Sequence, residues 1–478
     1  MKVDFTKLDK AFNPQCIAVV GDKGRLQRLH AQSTFKGTLY SVQIGSQSIK
    51  AIEALGVKNF TSLLDIPDPV DLAIVAVPRA VVPRILEDCI HKGVAAANFY
   101  AAGFAETNTE EGRELEKSLS DRAKQANFHL IGPNGVGIFN PELGLRQNAE
   151  QYVGMAGTVG LIAQSGTHAG RFSTEAYIQG VDINKAVSLG NGAVLDSADF
   201  LAYFGRQADI KAIGMYVEGI KSGRRFLNVL KEVAARKPVV IWKGGRSEEG
   251  RQAGVLHTGA MAISQDIWDA AIRQCGAVNV RNMEELIDTL GALLYLPSVH
   301  GNRIGVAGTS GGQSVVISDV FAEAGLSVPL LTQESRDKFA EFFNPVGGSY
   351  RNPIDAGVFN RPHLKRILEI LAADANVDNI AIVVWNTGSG IQEALQELSL
   401  VIEVKKRTKK PLVVILPYAL LQWEMPQIRQ ATQNLRDNDI PTFFTLERGA
   451  RALKNAWDYY RCRNKSKGDV VQLNGGKP

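Results

Sequence analysis

The sequence predicts an α/β protein of three doubly wound parallel-sheet domains. Three observations carry this expectation. Short apolar runs alternate with amphipathic stretches along the 478 residues. The runs are aliphatic or β-branched on both faces, as strands of a sheet covered on both sides require. The strand–helix alternation also restarts twice, which points to repeated βαβ layers rather than one long sheet.

In order, the first group of strands is Cys16–Val20, Leu39–Ile44, Asp71–Val77, Val94–Phe99 and Phe128–Ile131. Helical stretches at Arg79–His91 and Glu110–Asn127 separate its later members. The second group is Thr158–Ala163, Asn184–Leu189, Lys211–Val217 and Pro238–Lys243. The third is Arg303–Ala307, Asn379–Trp385 and Pro411–Leu416. Seams at Phe139–Gly157 and Pro297–Asn302, rich in Gly or Pro, divide the chain into domains at 1–150, 151–300 and 301–465. The polar, Gly- and Lys-rich stretch 466–478 is expected to be a flexible tail.

Composition bounds the function. Hydrophobic residues make up 45% and charged residues 22%, which is globular and not disordered. The 54 basic against 49 acidic side chains leave too small an excess to suggest a nucleic-acid or membrane-surface partner. No uncharged apolar run reaches the roughly 18 residues of a spanning helix. Met1–Lys7 does not read as a secretion signal. Four scattered cysteines, at 16, 89, 275 and 462, fit a reducing compartment without a thiolate zinc site. A cytoplasmic protein with no resident metal is the expectation.

Each domain opens with a strand, a glycine-containing turn and a helix. The turns are Gly21-Asp22-Lys23-Gly24, Gln164-Ser165-Gly166-Thr167 and Gly308-Thr309-Ser310-Gly311-Gly312. Glycine lets the backbone approach a ligand, and a helix start favours an anion. Small residues at such corners also serve any parallel sheet, but three such turns in one chain lean toward anion binding. The first turn lacks G-x-G-x-x-G and continues Arg25-Leu26-Gln27-Arg28, so a nicotinamide site is not supported. A basic pair there suits a phosphorylated nucleotide.

The most specific segment follows the strand Val239–Trp242. It is glycine-rich and charged, and His257 stands near its end. A neutral imidazole is available near pH 7 as a nucleophile. Glu218 ends another strand, where sites form in open α/β sheets. A carboxylate accepting Nδ1–H would hold the tautomer and leave Nε2 free. Taken singly, a capping histidine and a peripheral salt bridge are the commoner roles for these two residue types.

The chain resembles the α subunit of ADP-forming acetyl-CoA synthetases, within the NDP-forming acyl-CoA synthetases that include succinyl-CoA synthetase. The motifs run from about residue 10 to 462. They are Val70–Pro78, Ala102-Gly103-Phe104-Ala105-Glu106, Gly132-Pro133-Asn134, Gln164–Thr167, Val187–Asn191, Leu256–Ala260, Asn352-Pro353-Ile354-Asp355 and Glu447–Leu453. The resemblance implies a Rossmann-like CoA-binding domain followed by two flavodoxin-like domains. It implies that acid, CoA and ATP interconvert with acyl-CoA, ADP and phosphate through an acyl phosphate and a phosphohistidine. His257 would carry the phosphoryl group and Glu218 would orient it. Ser165, Gly166, Thr167 and Asn134 would hold phosphate in one site, and Ser310, Gly311 and Gly312 in a second. Gly21, Asp22, Lys23, Val77, Pro78 and Ala102 would contact CoA. The ATP or ADP, with its Mg, would sit on a separate ATP-grasp β subunit. The other substrate would be a small carboxylic acid or its acyl-CoA. In this sequence Gly135 stands where the family often has Cys, and His168 where a small apolar residue is common. A non-catalytic CoA- or acyl-CoA-binding regulator of the same descent is the alternative. His257 and Glu218 together favour the enzyme.

Overall fold

The computed structural model describes residues 2–474 except 23–24, 251–263, 309–310, 347–348, 358–359, 385–390 and 418–423. Among the described residues, the strands fall into three sheets. The first contains β1 (Cys16–Gly21), β2 (Thr38–Val42), β3 (Lys58–Phe60), β4 (Leu72–Ala76), β5 (Ala96–Phe99) and β6 (His129–Ile131). All are parallel, in the order β3-β2-β1-β4-β5-β6 of a Rossmann-type sheet.

The second contains β7 (Gly137–Phe139), β8 (Val159–Ala163), β9 (Ile183–Ser188), β10 (Ala212–Val217), β11 (Val239–Lys243) and β12 (Val278–Val280). Its order is β12-β11-β10-β8-β9-β7, a flavodoxin-like arrangement with β7 added antiparallel beyond β9. The third contains β13 (Ile304–Ala307), β14 (Asn379–Val383), β15 (Leu412–Ile415) and β16 (Thr442–Phe443), side by side and parallel.

The third sheet reaches the flavodoxin-like order by an unusual device. The place beside β13 is filled by two isolated parallel bridges, Arg303 with Ser327 and Ala307 with Ile354. The Ile304 N–H donates to the Ser327 carbonyl, and the Ile354 N–H to the Val306 carbonyl. Between them the Asn352 side chain acts as a strand. Its Oδ1 accepts from the Val306 N–H (2.9 Å), and its Nδ2 donates to the Ile304 carbonyl (2.8 Å). Every edge group of β13 named here is therefore paired, as buried backbone requires.

The chain forms two compact units. One comprises residues 1–177 and 182–281 with the first two sheets; the other comprises 178–181 and 282–478 with the third. In the first unit, the helix Phe5–Phe12 packs on the helix Ser197–Arg206. Phe12 stacks on Tyr203 at 5.0 Å and meets Phe204 edge-on at 5.3 Å, while the Tyr203 hydroxyl donates to Asp9. The stretch 139–157 packs back on the first sheet's side of this unit. Buried Arg146 donates to the Ala31 and Ala149 carbonyls, and its own carbonyl accepts from Gln32 Nε2. In the second unit, buried Asp288 on the helix Met283–Tyr295 receives Arg448 Nε and Nη2 at 2.7 and 2.8 Å. Burial pushes the Asp288 carboxyl up, with the Arg448 guanidinium pulling the other way. The helix Leu446–Asn474, which carries Arg448, continues through residues 466–474 of the expected tail. Among the described residues no helix is long and apolar enough to cross a membrane.

The sequence expectation omits β3, β7, β12 and β16. Each has two or three residues, too few for an apolar periodicity to register.

Two stability predictions follow from these contacts. Fully buried His129 accepts from the Asp4 N–H through Nε2, and burial, with Lys7 nearby, lowers its pKa to about 4. The unfolded ring protonates near 6.5, so below that pH the unfolded chain binds the extra proton. This contribution is whole above pH 6.5 and is lost as pH falls toward 4. Urea midpoints should drop across that window, and less steeply in His129→Gln. Removing the guanidinium in Arg448→Ala leaves a buried carboxylate unpaired. The unfolding free energy of the second unit should then fall by about 3 kcal/mol, measured by urea denaturation. Adding Asp288→Asn should recover part of it.

Candidate functional site

The C-terminal edge of the first sheet gathers the residues expected to contact CoA. Gly21 ends β1 with φ +92°, and a Cβ there would lie 2.5 Å from the Ala76 carbonyl oxygen. Only glycine brings β1 and β4 this close at their crossover. Val77 and Pro78 follow β4, and Ala102 lies in the loop after β5, with Pro78 and Ala102 exposed. Lys23 and Gly24 lie outside the described residues. Asp22 departs from the expectation. It is buried, and its Oδ2 accepts from the Arg28 and Leu29 N–H groups at 2.9 and 3.0 Å. The chain's own carboxylate thus takes the helix-start donors that the first turn was expected to offer an anion.

The second sheet presents a different edge. Ser165 precedes the helix Gly166–Gln179, and its hydroxyl accepts from the His168 N–H at 3.3 Å. The N–H groups of Gly166 and Thr167 have no hydrogen-bond partner among the described residues. A helix of this length gives that end a positive character suited to an anion.

Glu218 stands immediately after β10, beside this helix start. Gln164, the residue after β8, holds it. Gln164 Oε1 accepts from the Glu218 and Gly219 N–H groups, and Gln164 Nε2 donates to the Gly219 carbonyl at 2.8 Å. From β11, Lys243 Nζ donates to the Glu218 carbonyl at 2.8 Å. The Tyr216 hydroxyl donates to the Glu218 carboxylate at 3.0 Å. Three adjacent strands therefore fix the residue. His168 packs its ring against Tyr216 (4.4 Å) and Trp242 (4.7 Å). Burial lowers the His168 pKa, opposed by the Glu218 charge. His168 Nδ1 is buried without a hydrogen-bond partner among the described residues.

Asn134 is brought to the same neighbourhood. It has φ +60° and follows the cis Gly132–Pro133 peptide. Its Nδ2 lies 3.4 Å from Asn191 Oδ1 in the loop after β9. Gly190 explains the Ser188-Leu189-Gly190-Asn191 signature. A Cβ at Gly190 would lie 2.2 Å from the Pro133 carbonyl oxygen, so the absence of a side chain there lets the two loops pack together. Asn191 Nδ2 then donates to the Glu106 and Glu116 carboxylates.

Asn134, Ser165, Gly166, Thr167 and Glu218 thus converge around the ends of β8, β9 and β10. His257 and Ser310 lie outside the described residues. Gly311 and Gly312 open the helix Gly311–Glu323 in the other unit. The sequence reading named Gln164 in a turn and a motif, passed over Tyr216 and Lys243, and gave none of the three a supporting role. A register signal for them exists: Tyr216 pairs with Trp242 and Val217 with Lys243 across β10 and β11.

Residues 16–141 match a CoA binding domain, and residues 156–293 a succinyl-CoA ligase like flavodoxin domain. The α subunit of acetate–CoA ligase (ADP-forming) I from Pyrococcus furiosus is 30% identical, over 96% of this chain and 100% of that one. The α subunit of its form II is 33% identical, over 91% and 94%. Acetate–CoA ligase (ADP-forming) I of Archaeoglobus fulgidus is 34% identical over 80% of this chain, which spans 55% of that longer protein. A structure of dinucleotide forming acetyl-coenzyme A synthetase 1 from Ca. Korarchaeum cryptofilum, in complex with phosphate and ADP, superposes with a TM-score of 0.82. It has 28% identity, over 97% of this chain and 99% of that one. The chain belongs to the α-subunit family of ADP-forming acetyl-CoA synthetases.

Proposed function

We propose that this chain is the catalytic α subunit of an NDP-forming acyl-CoA synthetase. It would interconvert acid, CoA and ATP with acyl-CoA, ADP and phosphate. The observation that carries this reading is the pairing at one sheet edge of a helix start, whose Gly166 and Thr167 N–H groups have no partner among the described residues, with a carboxylate locked from three strands.

The fit to CoA is supported by the close crossover at Gly21, where a side chain would strike β4. Gly21, Val77, Pro78 and Ala102 would hold the cofactor at that edge. With Asp22 engaged by the helix Gln27–Ala31, its own role is to shape the turn. A CoA-binding module at 1–150, a phosphohistidine module at 151–300 and a third at 301–465 would each hold most of one sheet, with β7 reaching from the first stretch into the second sheet.

The chemistry divides into balanced steps. Phosphate attacks the thioester carbonyl, giving acyl phosphate and free CoA thiol. Ser165, Gly166, Thr167 and Asn134 would neutralise the phosphate during this exchange. His257 Nε2 then takes the phosphoryl group from the acyl phosphate, releasing the carboxylic acid. Glu218 accepts Nδ1–H and balances the charge on the phosphorylated ring. The phosphohistidine finally passes its phosphoryl group to ADP, giving ATP and a neutral imidazole. The α-subunit naming of the P. furiosus relatives supports a separate ATP-grasp β subunit that brings the nucleotide and its Mg. In that complex Ser310, Gly311 and Gly312 would provide the second phosphate site.

Intact-mass analysis after incubation with phosphate and a panel of acyl-CoAs should give one added phosphoryl group. It should be lost in His257→Ala, whose unfolding midpoint should match the parent. Retained label in that variant overturns the nucleophile assignment. Glu218→Gln should bind CoA normally yet label at least about tenfold more slowly. An unchanged rate removes Glu218 from the chemistry.

A further inference from the structure

Resting on the reaction proposed above, we infer that Tyr216 is a positioning residue for it, holding the Glu218 carboxylate in the orientation that histidine phosphorylation requires. Tyr216 lies in β10, two residues before Glu218, and is only 8% exposed. Its ring is wedged against two others. Trp242, its register partner on β11, lies at 4.5 Å and His168 at 4.4 Å, and these two rings meet at 4.7 Å. A ring gripped on two sides cannot swing, so its hydroxyl is a fixed point. That hydroxyl donates to Glu218 Oε1 at 3.0 Å.

The backbone is shaped around this pair. A Cβ on Gly244 would lie 2.8 Å from the Tyr216 Oη and 3.4 Å from Glu218 Cγ. The turn after β11 thus leaves open the volume that the phenol and carboxylate occupy. Burial, reinforced by the adjacent Glu218 charge, pushes the phenol pKa up, so Tyr216 keeps its proton and acts as the donor. The other groups around Glu218 do different work. Gln164 binds its N–H, Lys243 binds its carbonyl, and the lowered His168 pKa favours a neutral ring near neutral pH. Tyr216 grips the carboxylate itself from a ring cluster. A flexible Glu side chain at a strand end would otherwise sample several rotamers, few of them aligned for the imidazole Nδ1–H.

Tyr216→Phe tests this while keeping the ring and its packing. The full chain is mixed with acetyl-CoA and radiolabelled inorganic phosphate, and phosphohistidine at His257 is timed. Labelling should slow about tenfold, with KM for phosphate and acetyl-CoA within about twofold and an unchanged unfolding midpoint. In a Glu218→Gln background, Tyr216→Phe should slow labelling by less than about twofold further, because its effect runs through the carboxylate. An undiminished rate in Tyr216→Phe, or a full further slowing in the Glu218→Gln background, overturns the inference alone. Absence of label on His257 in the unaltered chain overturns the reaction, and the inference with it.

Discussion

The amide of Gln164 is the contact on which the candidate site depends. When β10 ends, its next two N–H groups lose their sheet partners. A half-buried N–H without an acceptor costs on the order of 1–3 kcal/mol. Gln164 Oε1 accepts both, and the amide nitrogen Nε2 donates in return to the Gly219 carbonyl. One side chain from the neighbouring strand thereby decides where the backbone of Glu218 goes. Tyr216 and Lys243 then decide the direction of its side chain and carbonyl. Without the amide, the carboxylate and the helix start at Gly166 would have no fixed relation.

The same device recurs in the third sheet. There the Asn352 amide supplies the acceptor and donor that a missing strand would have offered β13. Asn352 belongs to a motif that marks the family, as does Arg448, and both prove to be structural. Arg448 closes a buried bidentate pair with Asp288. A family signature therefore need not be a functional one. Asn352 and Arg448 each satisfy several partners at once, and few other side chains reproduce that geometry.

Much of the fold was legible because the long strands are apolar on both faces. β1, β4, β8, β10, β11 and β14 all lie within or close to the runs read from the sequence. The strands β3, β7, β12 and β16 were not, since they persist through their neighbours and not through a pattern of their own. Of the candidate site, Glu218, Asn134 and Ser165–Thr167 were legible from their places at strand ends and in motifs. Their supports were hidden. Tyr216 and Trp242 look like ordinary strand residues until the register sets them side by side. His168 looked like a departure from a small-residue position; it is one wall of the ring cluster that holds Tyr216.

The first and second glycine turns show how little separates an anion site from a closed corner. Both follow a buried parallel strand and lead into a helix, and in sequence they invite one reading. Asp22 places a full negative charge on the N–H groups of Arg28 and Leu29, so the helix start is already neutralised. Ser165 places a neutral hydroxyl at the equivalent point and engages the His168 N–H, leaving Gly166 and Thr167 without partners among the described residues. An incoming phosphate would have to displace a tethered carboxylate at Arg28 and Leu29. The charge of one capping residue, more than the number of glycines, therefore distinguishes the two helix starts, and the second stands at the sheet edge where Glu218 is held.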